Sequence, residues 1–320
     1  MSFSKEVKEE LSRHISNARH CQIAELAAIL SFCAKYEQID ENTRALNVYT
    51  ESLAVARKYF TLVKKTFNIS TNICIKRNLH QKKGKGYSLS IRDDVMITKI
   101  LMATKLKITP SGEINTADNM VVVNTCCKRA FLRGAFLASG SISDPEKTYH
   151  FEIVAGDEDR ANQIQNIILS FEIDAKIILR KRYHVVYIKE ASQIVDILNV
   201  MEAHVSLMNL ENVRILKDMR NSINRQVNCE AANINKTVKA ASKQLDDIKY
   251  INDTIGLDKL TEGLEDIAKL RFQYPEASLK ELADMLTPPI GKSGVNHRLR
   301  KISMIAERLR EQKEEKNYGN

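Results

Sequence analysis

The fold of this chain is decided by two stretches, Leu26-Ala-Ala-Ile-Leu-Ser-Phe-Cys-Ala34 and Leu132-Arg-Gly-Ala-Phe-Leu-Ala-Ser-Gly140. They are separated by 106 positions and have the apolar, small-residue character of buried helices. Small residues recur in and beside both, at Ala24, Ala28, Ala130, Gly134 and Ala138. They would let two helices approach closely at a pseudo-two-fold axis, although Ala and Gly are also common in buried helices that have no such role.

The elements around the two stretches occur in the same order, which predicts an internal repeat of the form α-β-α-β-β-α. Any second strand in the first pair of each repeat should be short. In the first repeat the helices are expected at 23–34, 52–67 and 93–106 and the strands at 45–49, 70–77 and 85–92. In the second they are expected at 125–139, 158–171 and 191–201, with strands at 149–154, 175–180 and 184–189.

Beyond residue 208 the strand patterns stop and the chain is predicted to be helical. A polar stretch at 224–233 is interpreted as a linker, after which Ile234, Val238, Ala241, Leu245 and Ile248 form an apolar stripe. The expected fold is therefore an α+β repeat followed by an all-α domain. The predicted boundaries are 1–115 for the first repeat, 116–207 for the second, 208–232 for a linker helix and linker, and 233–320 for the C-terminal domain.

Composition limits the compartment and the partners. The chain has 320 residues, of which 49 are Lys or Arg and 40 are Asp or Glu, and this net charge of +9 favours polyanionic partners. The sequence has no apolar h-region near its start and no run of the ~18 apolar residues that a membrane span needs. We therefore expect a cytoplasmic, nucleoid-associated protein with no membrane contact; a monomer is compatible with the sequence.

The six cysteines have no C-x-x-C spacing, which favours free thiols in a reducing compartment. The adjacent pairs His20-Cys21 and Cys126-Cys127 join no cluster of ligand spacing along the chain. Gly291-Lys-Ser293 resembles the end of a P-loop, but Leu286 stands where that motif requires glycine. We accordingly predict no metal, no nucleotide and no other cofactor.

A helix-turn-helix is predicted near the C-terminus. Ser278-Leu-Lys-Glu281 is a capping box, Pro288 and Pro289 end the short helix that it begins, and Ser293 is expected to cap a second helix. The predicted DNA-binding residues are Ser278, Lys280, Lys292, Ser293, Asn296, His297, Arg298, Arg300, Lys301 and Ser303. Asn, Arg and Ser side chains read base edges, while Lys and a helix N-terminus suit phosphate.

Between residues 290 and 310 there are six basic residues and one acid. The alternative is an ordinary helical hairpin with a solvated basic face. The connection at 287–292 is longer than the three or four residues of the simplest motif. The capping box, the turn and the polar face together favour the helix-turn-helix.

A second basic surface is predicted between residues 57 and 86, which hold nine basic residues and no acid. Its candidate DNA-contacting residues are Lys76, Arg77, Lys82, Lys83 and Lys85, near a predicted hairpin tip. Such a placement suits phosphate contacts and is also usual for a solvated turn.

The stretch 126–147, together with Asn233-Ile-Asn-Lys236, 275–283 and 291–300, closely resembles the WhiA family of bacterial sporulation and cell-division regulators. The resemblance implies a LAGLIDADG homing-endonuclease-like repeat fused to a sigma-factor-like helix-turn-helix, in a Gram-positive bacterium. Homing endonucleases of that fold carry a metal-binding acid at the eighth motif position, where this chain has Cys33 and Ser139. Neither replaces a carboxylate for Mg²⁺, so the resemblance implies a catalytically inactive scaffold.

The leading hypothesis is a regulator that binds double-stranded DNA and acts in transcription of genes for cell division, chromosome segregation and, in spore formers, sporulation. The first alternative is a metal-dependent endonuclease using displaced acids such as Asp40 or Asp144. The second is an interaction module whose helix-turn-helix contacts RNA polymerase or another regulator.

Overall fold

A computed structural model of the chain describes residues 2–39, 43–69, 72–77, 85–110 and 112–318. The chain divides into two compact units, Met1–Lys217 and Asp218–Asn320. Within the described residues, no helix is long and apolar enough to cross a membrane.

The first unit begins with helix α1 (Phe3–Arg13), and two copies of one arrangement follow. The first copy contains α2 (Arg19–Cys33), β1 (Ala34–Gln38), β2 (Arg44–Thr50), α3 (Leu53–Phe67), β3 (Asn72–Arg77), β4 (Lys85–Ile91) and α4 (Asp94–Thr104). The second contains α5 (Thr125–Ser139), β5 (Gly140–Ile142), β6 (Phe151–Ala155), α6 (Glu158–Leu169), β7 (Lys176–Arg180), β8 (Tyr183–Ile188) and α7 (Ala191–Val200). Both sheets are antiparallel, in the orders β1-β2-β4-β3 and β5-β6-β8-β7. The predicted α+β internal repeat is confirmed.

Each copy has one strand more than the sequence pattern predicted, so the order is α-β-β-α-β-β-α. The additional strands are β1 and β5, which follow α2 and α5 without any intervening turn. Strand β1 was missed because its residues, Ala34-Lys-Tyr-Glu-Gln38, are mostly polar and follow the apolar run of α2 with no Gly, Pro or other turn residue between them. Strand β5 has only three residues, too few to show alternation.

Helices α2 and α5 pack directly against each other at small residues. A Cβ atom placed on Gly134 would lie 2.5 Å from the carbonyl oxygen of Glu25 and 2.9 Å from the Cβ of Ala28. Ala28 and Gly134 occupy equivalent positions of the two copies, 106 residues apart. The predicted close approach of the two helices is therefore confirmed.

Helix α8 (His204–Thr254) runs without interruption through 224–233, so the linker predicted there is wrong. The segment is polar but contains neither Gly nor Pro, and an exposed helix accepts polar side chains at small cost. Only part of the apolar stripe that follows is buried. Ile234 and Val238 are exposed, whereas Ile248 is buried.

The second unit is helical throughout its described residues. After α8 come a short 3₁₀ turn, α9 (Glu262–Gln273), α10 (Leu279–Met285) and α11 (Lys292–Tyr318). They share one core with the end of α8, formed by Ile248, Ile251, Leu260, Ile267, Ala268, Leu282, Ala283, Leu286, Val295, Leu299, Ile302 and Ala306.

Candidate nucleic-acid interface

The capping box at the start of α10 is present as predicted. The Ser278 hydroxyl accepts a hydrogen bond from the Glu281 amide at 3.3 Å, and the Glu281 carboxylate accepts one from the Ser278 amide at 2.7 Å. The backbone bond from Ser278 lowers the pKa of Glu281. These reciprocal bonds fix the first turn of the short helix that precedes the candidate recognition helix.

Helix α11 begins two residues earlier than a cap at Ser293 would place it. The carbonyl of Gly291 accepts hydrogen bonds from the amides of Gly294 at 2.8 Å and Val295 at 3.2 Å. Lys292 is therefore the first helical residue, and Ser293 lies inside the first turn. The expectation that Ser293 caps this helix is wrong, because Gly291 supplies the flanking carbonyl. Ser293 nevertheless remains exposed at the helix N-terminus.

The two faces of α11 are strongly different. Val295, Leu299, Ile302 and Ala306 are buried in the core of the unit. The other face exposes His297, Arg300 and Lys301, with Asn296 and Ser303 half-buried at its edge. The helix can therefore present these polar side chains to a partner while its apolar face remains in the core.

The exposed face keeps its positive charge. Among the residues that the structure describes, no ion pair involves Arg300 or Lys301. The acid of this segment, Glu307, is paired instead with Lys243, 3.2 Å away. At α10, Ser278 and Lys280 are exposed on the same unit.

Arg298 is engaged within the protein. Its Nη1 atom donates a hydrogen bond to the carbonyl of Gly263 at 3.1 Å, and the side chain is half-buried. A Cβ atom on Gly263 would lie 3.2 Å from the Arg298 guanidinium carbon. Arg298 thus fixes α11 against the start of α9.

Three of the five residues predicted for the second basic surface, Lys76, Arg77 and Lys85, lie on two paired strands. Strands β3 and β4 pair with Arg77 opposite Lys85 and Lys76 opposite Gly86. Lys82 and Lys83 lie outside the described residues.

The equivalent hairpin of the second repeat is basic as well, and the sequence reasoning missed it. Strands β7 and β8 and the two residues between them carry Lys176, Arg180, Lys181 and Arg182, all exposed, with no acid before Glu190. The detectable pattern was a second basic, acid-free segment at the same place in the repeat. Both copies therefore place basic residues on the outer hairpin of their sheet.

Cys33 and Ser139 are the last residues of α2 and α5. Cys33 lines a cavity of about 620 Å³ with Lys8, whose pKa is lowered by burial. Burial raises the pKa of Cys33 to about 11. A neutral thiol, a hydroxyl and a lysine do not form the oxygen-rich anionic set that Mg²⁺ requires.

The displaced acids of the endonuclease alternative receive no support from this geometry. The Asp144 carboxylate accepts a hydrogen bond from the Glu146 amide at 3.0 Å within a turn. It borders a different cavity from the one lined by Cys33. Asp40 lies outside the described residues.

At the opposite ends of α2 and α5, the structure overturns one expectation. His20, Cys21, Cys126 and Cys127 were expected to join no ligand cluster, yet their ligand atoms all lie within 4.8 Å of one another. Burial raises the pKa of Cys21 to about 12 and also raises that of Cys127. A repeat brings together residues that are far apart in sequence, which ligand-spacing rules for one short segment do not detect.

A duplicated α-β-β-α-β-β-α fold followed by a helix-turn-helix unit defines a LAGLIDADG-like protein with a C-terminal helix-turn-helix domain. Three family models match along the chain: a WhiA N-terminal LAGLIDADG-like domain at 19–107, a WhiA LAGLIDADG-like domain at 128–220 and a WhiA C-terminal HTH domain at 223–306. The chain belongs to the WhiA family.

Similar proteins cover nearly the whole chain. A probable cell division protein WhiA from Lachnoclostridium phytofermentans is 62% identical over 97% of this chain and 100% of its own length. One from Alkaliphilus oremlandii is 46% identical over 98% of this chain and 99% of its own length. The crystal structure of full-length DUF199/WhiA from Thermotoga maritima superposes with a TM-score of 0.59 and 25% identity, covering 96% of this chain and 99% of that one.

Proposed function

We propose that this protein is a transcription regulator that binds double-stranded DNA, with α11 as the recognition helix. The observation that carries the proposal is the exposed basic face of α11, whose opposite face is fixed in the core. A recognition helix needs this division because its polar residues enter the major groove while the unit holds its orientation.

The side chains of α11 and α10 can be assigned separate roles. Asn296, Arg300 and Ser303 have the donors and acceptors that read base edges, with His297 beside them. Lys280, Lys292 and Lys301 suit phosphate oxygens, and so do the amides at the N-terminus of α11 near Ser293. Arg298 acts indirectly in this scheme, by holding the helix against Gly263.

The relatives' description as probable cell division proteins supports a role for this chain in cell division. We further propose regulation of chromosome segregation and, in a spore former, of sporulation. Such a protein would act on the nucleoid in the cytoplasm.

We also propose that the protein binds DNA and that its LAGLIDADG-like unit does not cut it. Cys33 and Ser139 stand at the helix ends where the fold would require acids, and Lys8 lines the cavity beside Cys33. Incubating supercoiled plasmid with the purified protein and Mg²⁺ should leave it intact. Metal-dependent cutting that is lost in Asp144→Ala would overturn this proposal in favour of the displaced-acid endonuclease.

The DNA-binding proposal is tested by fluorescence anisotropy on a labelled mixed-sequence duplex over a salt series. The variant carrying Arg300→Ala and Lys301→Ala should bind more weakly. The slope of log affinity against log salt concentration should become shallower by about 0.9, because the phosphate contact assigned to Lys301 is lost. Lys313→Ala, which removes one exposed charge further along α11, is the control.

An unchanged affinity and slope in the double variant would contradict DNA binding through α11. That result would favour the interaction-module alternative, which capture of RNA polymerase by the full chain would then examine. Genome-wide occupancy of the wild-type protein and of the double variant would identify the sequences and genes that depend on α11.

A further inference from the structure

The cluster formed by His20, Cys21, Cys126 and Cys127 follows the internal symmetry of the first unit. His20 and Cys21 are the second and third residues of α2, and Cys126 and Cys127 are the second and third residues of α5. Each pair is thus the 106-residue equivalent of the other. The pseudo-two-fold arrangement brings one imidazole and three thiols together at the N-terminal ends of the two motif helices.

The distances from His20 to the three sulfurs fit one tetrahedral ion. The Nδ1 atom of His20 lies 3.2 Å from the sulfur of Cys127, 3.4 Å from that of Cys21 and 3.9 Å from that of Cys126. With Zn–N of about 2.0 Å and Zn–S of about 2.3 Å, tetrahedral geometry places nitrogen and sulfur about 3.5 Å apart. The three separations from His20 Nδ1 bracket that value.

We propose that these four residues bind one Zn²⁺ ion through the three sulfurs and His20 Nδ1. Cys₃His is a donor set of structural zinc sites, and thiolate ligands select zinc over the hard cations Mg²⁺ and Ca²⁺. As the Zn–S bonds form, the three thiols release their protons to solvent. All four coordination positions are filled by the protein, so the ion has no open position for a substrate.

The site would join the two repeats across their symmetry axis. Two of its ligands come from α2 and two from α5, so the ion cross-links helices that are otherwise held by packing and by the buried ion pair between Glu25 and Arg133. It lies at the ends opposite Cys33 and Ser139 and is therefore separate from the positions at which nucleases of this fold bind their metals. Its role is structural, and the binding free energy contributes directly to the stability of the first unit.

Two of the four proposed ligands are exposed, so one can be replaced without disturbing the core. Cys21 and Cys127 are buried, whereas His20 and Cys126 are exposed, so Cys126→Ser removes a ligand with little disturbance of the core. Cys229→Ser is the matched control, because Cys229 is an exposed thiol on α8 outside the cluster. Both variants and the wild type are produced as full chains in zinc-supplemented medium and purified under anaerobic, reducing conditions.

Elemental analysis should find one zinc per chain in the wild type and in Cys229→Ser. Titration of the metal-free protein with Co²⁺ alone should give the thiolate charge-transfer and tetrahedral d–d absorption of a sulfur-rich site. Loss of an outer-sphere partner already costs about 10–100-fold in metal affinity, so removal of the Cys126 sulfur should cost at least about 100-fold. His20→Ala should have a similar effect and provides a second variant.

Thermal unfolding gives an independent readout. A zinc chelator should lower the Tm of the wild type and of Cys229→Ser while leaving Cys126→Ser unchanged. The proposal is overturned if the reduced wild type binds neither Zn²⁺ nor Co²⁺, or if Cys126→Ser binds them as tightly as the wild type. It is also overturned if mass spectrometry of protein purified without reductant shows a disulfide within the cluster that persists when zinc is present, or if the metal found is iron with acid-labile sulfide.

Discussion

The Oε1 atom of Glu25 lies 2.8 Å from the Nζ atom of Lys58, and both side chains are completely buried. The same carboxylate oxygen lies 3.0 Å from Nε of Arg133, which is 2% exposed. Glu25 belongs to α2, Lys58 to α3 and Arg133 to α5, so one anion holds cations from both repeats. Lys58 also donates hydrogen bonds to the carbonyls of Leu11 and His14.

Replacing Glu25 with alanine should destabilise the first unit by about 3–5 kcal/mol, because the buried Lys58 loses its carboxylate partner, whereas Arg133 keeps its ion pair with Glu202. Urea unfolding is monitored by hydrogen exchange of peptides from α2 and α5. This readout distinguishes unfolding of the first unit from unfolding of the second. Glu9→Ala is the control. Its ion pairs with the exposed Arg13 and Arg57 span 3.6 and 3.9 Å, and exposed pairs contribute at most about 1 kcal/mol. Equal effects of the two substitutions would contradict the assigned importance of the buried network.

His14 should make the stability of the same unit depend on pH. Burial and the nearby Arg133 guanidinium lower the pKa of His14 below its usual 6.5, against the pull of Glu202, whose carboxylate is 3.2 Å away. The unfolded chain therefore binds a proton at a higher pH than the folded chain does. The stabilisation is present above about pH 6.5 and is lost as pH falls through the folded pKa.

Urea midpoints measured between about pH 7 and about pH 5.5 should therefore decrease for the wild type. They should decrease less for His14→Gln, whose side chain does not titrate in this range. A variant with the same pH dependence as the wild type would assign the effect to another group.

The parts of the fold that the sequence revealed are those with local or periodic causes. The capping box of Ser278 and Glu281 uses residues three positions apart, and the apolar face of α11 repeats at helical spacing. The two motif helices were recognisable because Ala28 and Gly134 recur at the same place in each copy. Patterns of this kind depend on neighbours along the chain, so a sequence displays them directly.

The missed features depend on tertiary structure. Glu25, Lys58 and Arg133 are ordinary charged residues in sequence, and only the packing of three helices makes them a buried network. His20 and Cys127 are 107 positions apart and become neighbours through the pseudo-two-fold axis. Combining the 106-residue repeat distance with the positions of all His and Cys residues would have identified that cluster from the sequence.

Gly134→Ala should destabilise the first unit by about 1–3 kcal/mol, the usual cost of overpacking a core. The new Cβ would lie 2.5 Å from a backbone oxygen of α2, so the two motif helices would have to separate. Gly156→Ala is the control within the same unit, because the nearest atom to its new Cβ is the flexible tip of Arg160 at 3.4 Å. The Tm values of both variants are measured by calorimetry. A Gly134→Ala variant as stable as Gly156→Ala would contradict the close approach of α2 and α5.

Arg298→Ala should destabilise the second unit by about 1–2 kcal/mol, because the hydrogen bond to the carbonyl of Gly263 is lost. The slope of its log DNA affinity against log salt concentration, measured at a temperature where the unit is folded, should equal that of the wild type. Lys301→Ala, at an exposed position, should behave in the opposite way, with unchanged stability and a shallower slope. If Arg298→Ala instead lowers the slope at full stability, Arg298 contacts DNA directly.

The hairpin between β7 and β8 provides the last prediction, which concerns whether the first unit also contacts DNA. Arg180 and Arg182 are exposed there, and the protein contacts of Arg180 are long, with its Nη1 atom 3.4 Å from Glu152. Replacing both with alanine should weaken binding to a mixed-sequence duplex and make the salt slope shallower by up to about two. Lys99→Ala combined with Lys107→Ala removes the same charge from exposed positions on and after α4, and it should change the slope much less because the substitution lies away from the hairpin. Equal changes in both double variants would show that the effect comes from overall charge, and an unchanged slope in the hairpin variant would leave α11 as the contact surface for DNA.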